Sequence, residues 1–173
     1  NNFHFISSLL YLWLTLIENM DSSSSYTLPD LFQNSVDHFA EHPFLAFVGD
    51  IPITYHEASQ TIIALQAFME RLDIEPGDRV AILSANMPNW GLAYLAITGM
   101  GAVVVPLLPD FSLDEVKNVL HHSESKAIFV SSGLKYKIDK IQGSQLKNRM
   151  LVDDFSIVTS DHEGVVFDAA LKP

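Results

Sequence analysis

Apolar residues fall along this chain in blocks with two different periods. Between Thr27 and Phe39, Leu31, Phe32, Ser35, Val36 and Phe39 recur at helical spacing, which predicts a helix with those positions on one side. Thr27-Leu-Pro-Asp30 opens it and His42-Pro43 ends it. "FLAFVGDIPITY" then reads as two short strands around a Gly49-Asp50 turn. Thr54-Tyr-His-Glu57 has the S/T-x-x-E form in which the two side chains satisfy free backbone N–H groups. The helix it opens is predicted to run to about Leu72, with Ala58, Ile62, Leu65, Phe68, Met69 and Leu72 inward.

After a turn at Glu75-Pro-Gly-Asp78 the pattern is at its most regular. Arg79–Ser84 reads as a strand, Pro88–Met100 as a helix stopped by Gly101, and Ala102–Pro106 ("AVVVP") as a strand. The near-continuous valine run, without polar alternation, predicts burial on both faces and hence a parallel sheet. Ser112-Leu-Asp-Glu115 is a second capping box, opening a helix through His121, and Lys126–Ser132 supplies a third strand. The order β-α-β-α-β with short links predicts an α/β fold with a doubly wound, mostly parallel sheet and flanking helices. Past Leu134 the signal thins: "RMLVDD" (149–154) and, more weakly, "GVVFD" (164–168) are strand-like, whereas "KYKIDKIQGSQLK" (135–147) is polar enough for the surface.

The N-terminus departs from this order. Residues 5–17, "FISSLLYLWLTLI", are an uncharged apolar run that no Lys or Arg precedes, so a signal peptide is a poor match. The run is also short of the ~20 residues that span a bilayer. With Met20 ahead of the Ser-rich stretch 21–26, residues 1–26 are expected to be an extension and linker outside the fold. A membrane-associating helix is the other reading, and residues 27–173 are then a partial α/β domain.

Composition narrows the partners. The 173-residue chain carries a net charge of −11, which argues against nucleic acid and against an anionic membrane surface. Cysteine is absent, so disulfides, thiolate nucleophiles and Cys-based metal sites are excluded. A cytoplasmic protein fits, with peripheral membrane contact left open by residues 5–17.

Candidate chemistry is sparse. "SANMPNWG" (84–91) occupies the strand-to-helix corner at the carboxyl end of a parallel strand, where open α/β sheets bind ligands. Asn86 is placed to cap the following helix and Pro88 suits its first turn. No Gly-x-Gly-x-x-Gly is present there, and the Gly-x-Gly of Thr98–Ala102 follows a helix instead of a strand. His121-His122 diverge by about 100° on a helix, so solvent-facing ends favourable to the helix dipole explain them better than a metal. Asp153-Asp154 point to opposite sides of a strand and, like Asp161-His162-Glu163, read as surface acid. Ser84, Ser131 and Ser132 lie outside any Gly-x-Ser-x-Gly elbow. Trp90 and Tyr94, four apart, are better core than the wall of a ligand tunnel. No catalytic, cofactor-binding or metal-binding residue is therefore assigned.

The joint pattern says more than any piece. "ITYHEASQ", "GDRVAILSANMPNWGLAYLAITGMGAVVVPLLPDFS" and "HSESKAIFVSS", in this order, resemble the N-terminal part of the large domain of the acyl-adenylate-forming enzymes, closest to the long-chain fatty acid–CoA ligases. The resemblance covers about Thr27 to Leu134. It implies a parent enzyme that makes acyl-AMP from a fatty acid and ATP with Mg²⁺, then passes the acyl group to coenzyme A. The Thr/Ser/Gly-rich phosphate loop, the Y-G-x-T-E segment, the ribose-binding Asp and the C-terminal Lys of that family have no match here. The fragment alone is expected to be inactive. The alternative is a non-catalytic α/β binding module that pairs with a partner.

Overall fold

A computed structural model describes residues 27–139, 141 and 146–169; the expectations for residues 1–26 lie outside that range. Helix α1, Leu28–Phe39, is capped by Thr27, whose side chain accepts from the Asp30 N–H. Only half of its predicted face turns inward: Phe32, Ser35 and Val36 are partly covered, whereas Leu31 and Phe39 are exposed. Strands β1 (Pro43–Leu45) and β2 (Ile53–Thr54) pair antiparallel, and helix α2, Tyr55–Glu70, starts at the predicted capping box. Thr54 Oγ1 accepts from the Glu57 N–H at 3.1 Å, while the Glu57 carboxylate accepts from the Thr54 N–H at 2.8 Å.

The sheet carries the rest. Its strands are β3 (Arg79–Leu83), β4 (Val103–Leu107), β5 (Ala127–Val130), β6 (Asn148–Leu151) and β7 (Ile157–Thr159), in the spatial order β4-β3-β5-β6-β7. All pairings are parallel except β6 with β7. Helix α3 (Pro88–Gly99) joins β3 to β4, and helix α4 (Leu113–His122) returns from β4 to β5 on the opposite face. Alternation along β3 and β5 shows the two faces directly. Val80, Ile82, Ala127 and Phe129 pack with α2 and α3; Ala81, Leu83, Ile128 and Val130 pack with α4. The doubly wound expectation is therefore met.

The sequence expectation fails at four further places in the fold. Strand β4 is an edge among the described residues, so Val103 and Pro106 are exposed and the valine run is not buried on both faces. An edge position also accommodates a proline, which has no ladder N–H to give. Second, Asn86 does not cap α3: the N-cap is Met87, which makes no side-chain cap bond, although Pro88 does occupy the first turn. Third, "KYKIDKIQGSQLK" is not simply surface. A 3-10 turn, Ser132–Lys137, carries Lys137 and Ile138 into the second face, where Ile141 and Leu146 are also buried. Fourth, the last strand is Ile157–Thr159, and 164–168 is irregular.

Gly101 stops α3 as expected, with φ at +79°, and a Cβ there would meet Pro76 at 3.3 Å. The layer of α2 and α3 is close-packed: Gln66 Nε2 donates to the Ala96 carbonyl at 3.4 Å, against Gly99. At the amino end of the sheet Lys126 Nζ pairs with Asp78 Oδ2 at 2.7 Å and donates to the Asp73 carbonyl. Burial works to raise the Asp78 pKa. The Lys126 and Glu75 hydrogen bonds, with the charges of Lys126 and Arg79, outweigh it and hold the carboxyl below its ordinary value.

Two measurements follow from this packing. Ile82→Ala, in a strand bonded on both sides, should cost about 2–5 kcal/mol, and Val103→Ala on the open edge under about 1 kcal/mol, read from urea midpoints. Equal losses would contradict the edge assignment. Because the Asp78 pKa is lowered on folding, its contribution is present above the ordinary carboxylate range and disappears as pH falls through the folded value. Asp78→Asn should therefore be less stable than wild type near pH 7 by about 0.5–1 kcal/mol, with the gap closing below about pH 4.

Candidate functional site

The carboxyl ends of β3 and β5 mark the point where the chain leaves the sheet for opposite faces, α3 to one and the 3-10 turn to the other. Such a switch point is the usual ligand crevice of an open α/β sheet. Four connections meet there: Ser84–Met87, Leu108–Ser112, Ser131–Ser132 and Val152–Asp154.

The chain's own side chains lace this crevice. Asn89, in the first turn of α3, donates from Nδ2 to the carbonyls of Val152 at 2.9 Å and Asp153 at 2.7 Å. The Asp153 carboxylate in turn accepts from the Ser132 N–H at 2.8 Å and the Ser132 hydroxyl at 3.0 Å. α3, the β6 end and the start of the 3-10 turn are thus tied into one unit. Ser84 is buried and its hydroxyl donates to the Ala85 carbonyl at 2.8 Å. Lys137 Nζ donates to the carbonyls of Pro109 and Phe111, both at 2.6 Å, fixing the connection after β4 from beneath.

The two adjacent aspartates lie in the turn after β6, not on a strand as expected, and take separate partners. Asp154 accepts from the Ser156 N–H at 2.9 Å, and the Ser156 side chain and N–H together hold its carboxyl below the ordinary range. Asp153, however, is a structural acceptor for Ser132 and not merely surface acid. His121 and His122 sit exposed in the last turn of α4. Asp161 and Glu163 are exposed, while His162 reaches Asp73 at 3.5 Å. Trp90 and Tyr94 stack with centroids 5.3 Å apart and are half-buried against the first core. Among the described residues no group of three or more His, Asp or Glu is arranged to hold a metal ion.

Sequence reasoning found the corner but missed what fills it. Asn89, Lys137 and the Ser132–Asp153 pair carry no local signature, because their partners are 63, 28 and 21 residues away.

The comparisons with known proteins fit this geometry. The profile described as AMP-binding enzyme matches residues 32–170. The chain belongs to the AMP-binding enzyme family. A long-chain-fatty-acid–CoA ligase of Escherichia coli O6:H1 is 24% identical over 147 residues, covering 84% of this chain and 26% of that protein. A 3-[(3aS,4S,7aS)-7a-methyl-1,5-dioxo-octahydro-1H-inden-4-yl]propanoyl:CoA ligase of Mycobacterium tuberculosis is 32% identical over 117 residues, covering 68% and 23%. Among solved structures, a long-chain-fatty-acid-CoA ligase from Archaeoglobus fulgidus superposes with a TM-score of 0.69 at 17% identity, covering 75% of this chain and 28% of that one. The anthranilate CoA ligase AuaEII, in complex with anthranoyl-AMP, gives 0.69 at 18%, covering 73% and 24%. These likenesses establish the adenylate-forming fold, and the chain spans about a quarter of the length of the curated relatives it matches.

Within this AMP-binding domain the described residues do not fit a nucleoside triphosphate. The switch-point donors Asn89 and Ser132 are committed to protein acceptors, and the Lys137 ammonium faces carbonyls. Asn89→Ala should lower stability by about 1–2 kcal/mol by leaving two carbonyls without their donor. Asn89→Asp should cost more, since it sets a carboxylate oxygen against those carbonyls; thermal melts of the two variants check the order.

Proposed function

We propose that the chain is the N-terminal part of an ATP-dependent acyl-CoA synthetase that activates a fatty acid as acyl-AMP and transfers it to coenzyme A. The observation that carries this reading is the family match over residues 32–170, joined to relatives that are CoA ligases by name. Long-chain fatty acid is the substrate class favoured by the first group of those relatives, at 22–24% identity. In this reading the parent is a ligase of fatty acid metabolism using ATP, Mg²⁺ and coenzyme A, acting in the cytoplasm. The described residues contain no helix long and apolar enough to cross a membrane.

The 173 residues by themselves are proposed to be inactive. Adenylation needs donors converging on the phosphates and cations that stabilise charge leaving with pyrophosphate. In the sequence no Thr/Ser/Gly-rich loop supplies the first, and the switch point of the sheet is taken up by internal hydrogen bonds. Pyrophosphate exchange with ATP, Mg²⁺ and a panel of fatty acids is the direct test. The 173-residue chain should show no acid-dependent exchange, whereas a chain continued past Pro173 through a Thr-Ser-Gly-type loop to the C-terminal Lys should show it most strongly with long acyl chains. Exchange by the shorter chain would refute the inactivity. A continued chain lacking that loop would refute the enzyme assignment.

A further inference from the structure

Helix α1 has more apolar surface than the body covers. Phe32 and Val36 are the partly covered apolar side chains of its inner side, and Phe32 rests against Phe44 with ring centroids 5.3 Å apart. No residue of α1 is fully buried. Leu28, Leu31, Ser35 and Phe39, spaced three, four and four apart, form a second stripe beside the first. Its three large members are 49%, 62% and 50% exposed. The one hydroxyl on the stripe is already satisfied, Ser35 Oγ donating to the Leu31 carbonyl at 2.9 Å. On the opposite, polar side Gln33 Nε2 donates to Asp37 Oδ1 at 2.8 Å. An amphipathic helix whose apolar arc is wider than its seat has room for a further apolar neighbour.

We propose that this stripe is covered by the chain's own apolar run, residues 5–17, folded back over the outside of α1. Reach, size and charge select this occupant. Residues 18–26, "ENMDSSSSY", are polar and lead directly into Thr27, the cap of α1. Such a linker reaches up to about 30 Å and α1 is about 18 Å long, so the whole stripe lies within range. A second copy of the chain is a poorer occupant, because a stable dimer buries about 800 Å² per partner, more than three half-exposed side chains offer. A tethered segment needs far less, since a short linker sets an effective concentration in the mM range. The run itself is uncharged and brings no ion onto the stripe. The net charge of −11, with Glu18 and Asp21 beside the run, disfavours an anionic lipid surface in its place. Leu9, Leu12, Trp13 and Leu16 recur at the spacing that would set one side of a second helix against α1. This inference does not depend on the reaction proposed for the parent enzyme.

Trp13 reports the contact once Trp90, the other tryptophan, is replaced. Acrylamide quenching of the full 173-residue chain carrying Trp90→Phe is divided by that of the same chain unfolded in urea, each corrected with free N-acetyltryptophanamide in the same solvent. With one face of the indole seated on α1 the ratio should be about 0.5 or lower, and equal at roughly 1 and 100 µM chain, both below the tether concentration. Adding Leu31→Asp and Phe39→Asp should bring the ratio close to one. Gln33→Glu and Asn34→Asp place the same charge on the polar side of α1 and should leave it low. All four positions are exposed, so each variant should keep the far-UV circular dichroism of the parent chain. A ratio near one in the Trp90→Phe chain refutes the contact. Protection that grows with chain concentration assigns the stripe to a second copy, and protection that needs phosphatidylcholine vesicles assigns the run to lipid. Protection that survives Leu31→Asp with Phe39→Asp puts the run elsewhere on the body. Each of these three results overturns the proposal.

Discussion

Strand β3 is the constraint from which the other elements take their places. Among the described residues it is the strand bonded to parallel neighbours on two sides whose crossovers lie on opposite faces, and Val80 to Leu83 are fully buried. A strand so placed cannot leave either face bare, so α2 and α3 must cover one side and α4 with the 3-10 turn the other. The register that aligns Val80 with Val104 and Ala127 also brings the carboxyl ends of β3, β4 and β5 to one level, and with them the connections of the candidate site. In this chain the geometry that gathers those connections is set by backbone pairing, and the polar side chains follow it.

What was legible in the sequence was local. Both capping boxes, Pro88 in its first turn and Gly101 as a stop depend on residues within four positions of one another, and all are found as read. What was not legible depended on neighbours far along the chain. The valines of β4 have the composition of a doubly buried strand, yet exposure is decided by whether another strand lies beside them. Lys135 to Lys147 reads as polar because its charges are counted, but Lys137 spends its charge on main-chain carbonyls, Arg149 of β6 donates to the carbonyls of Ile138 and Ile141, and those two isoleucines go inward. Asn86 and Asn89 are indistinguishable as isolated letters. Only the position of the β6 end, unknown from the sequence, selects Asn89.

The site has the same division. Its location followed from the α/β order, and its family from the joint pattern of segments, which the profile match over residues 32–170 extends nearly to the end of the chain. Its occupancy by Asn89, Asp153 and Ser132 did not follow. Those hydrogen bonds close the switch point and tie α3, the β6 end and the 3-10 turn into one unit.

Gly99 shows how narrowly one dimension of the molecule is set. A methyl group placed there would run into the Gln66 carboxamide, which is turned toward the Ala96 carbonyl. Gln66 is a long side chain and could swing aside, so an alanine at 99 would be sterically admissible at the expense of the amide contact. The two helices are thus kept at their separation by a missing carbon atom on one and a donor on the other. An alanine at 99 would therefore sit most easily beside a shorter side chain at 66, which removes the atom it would meet.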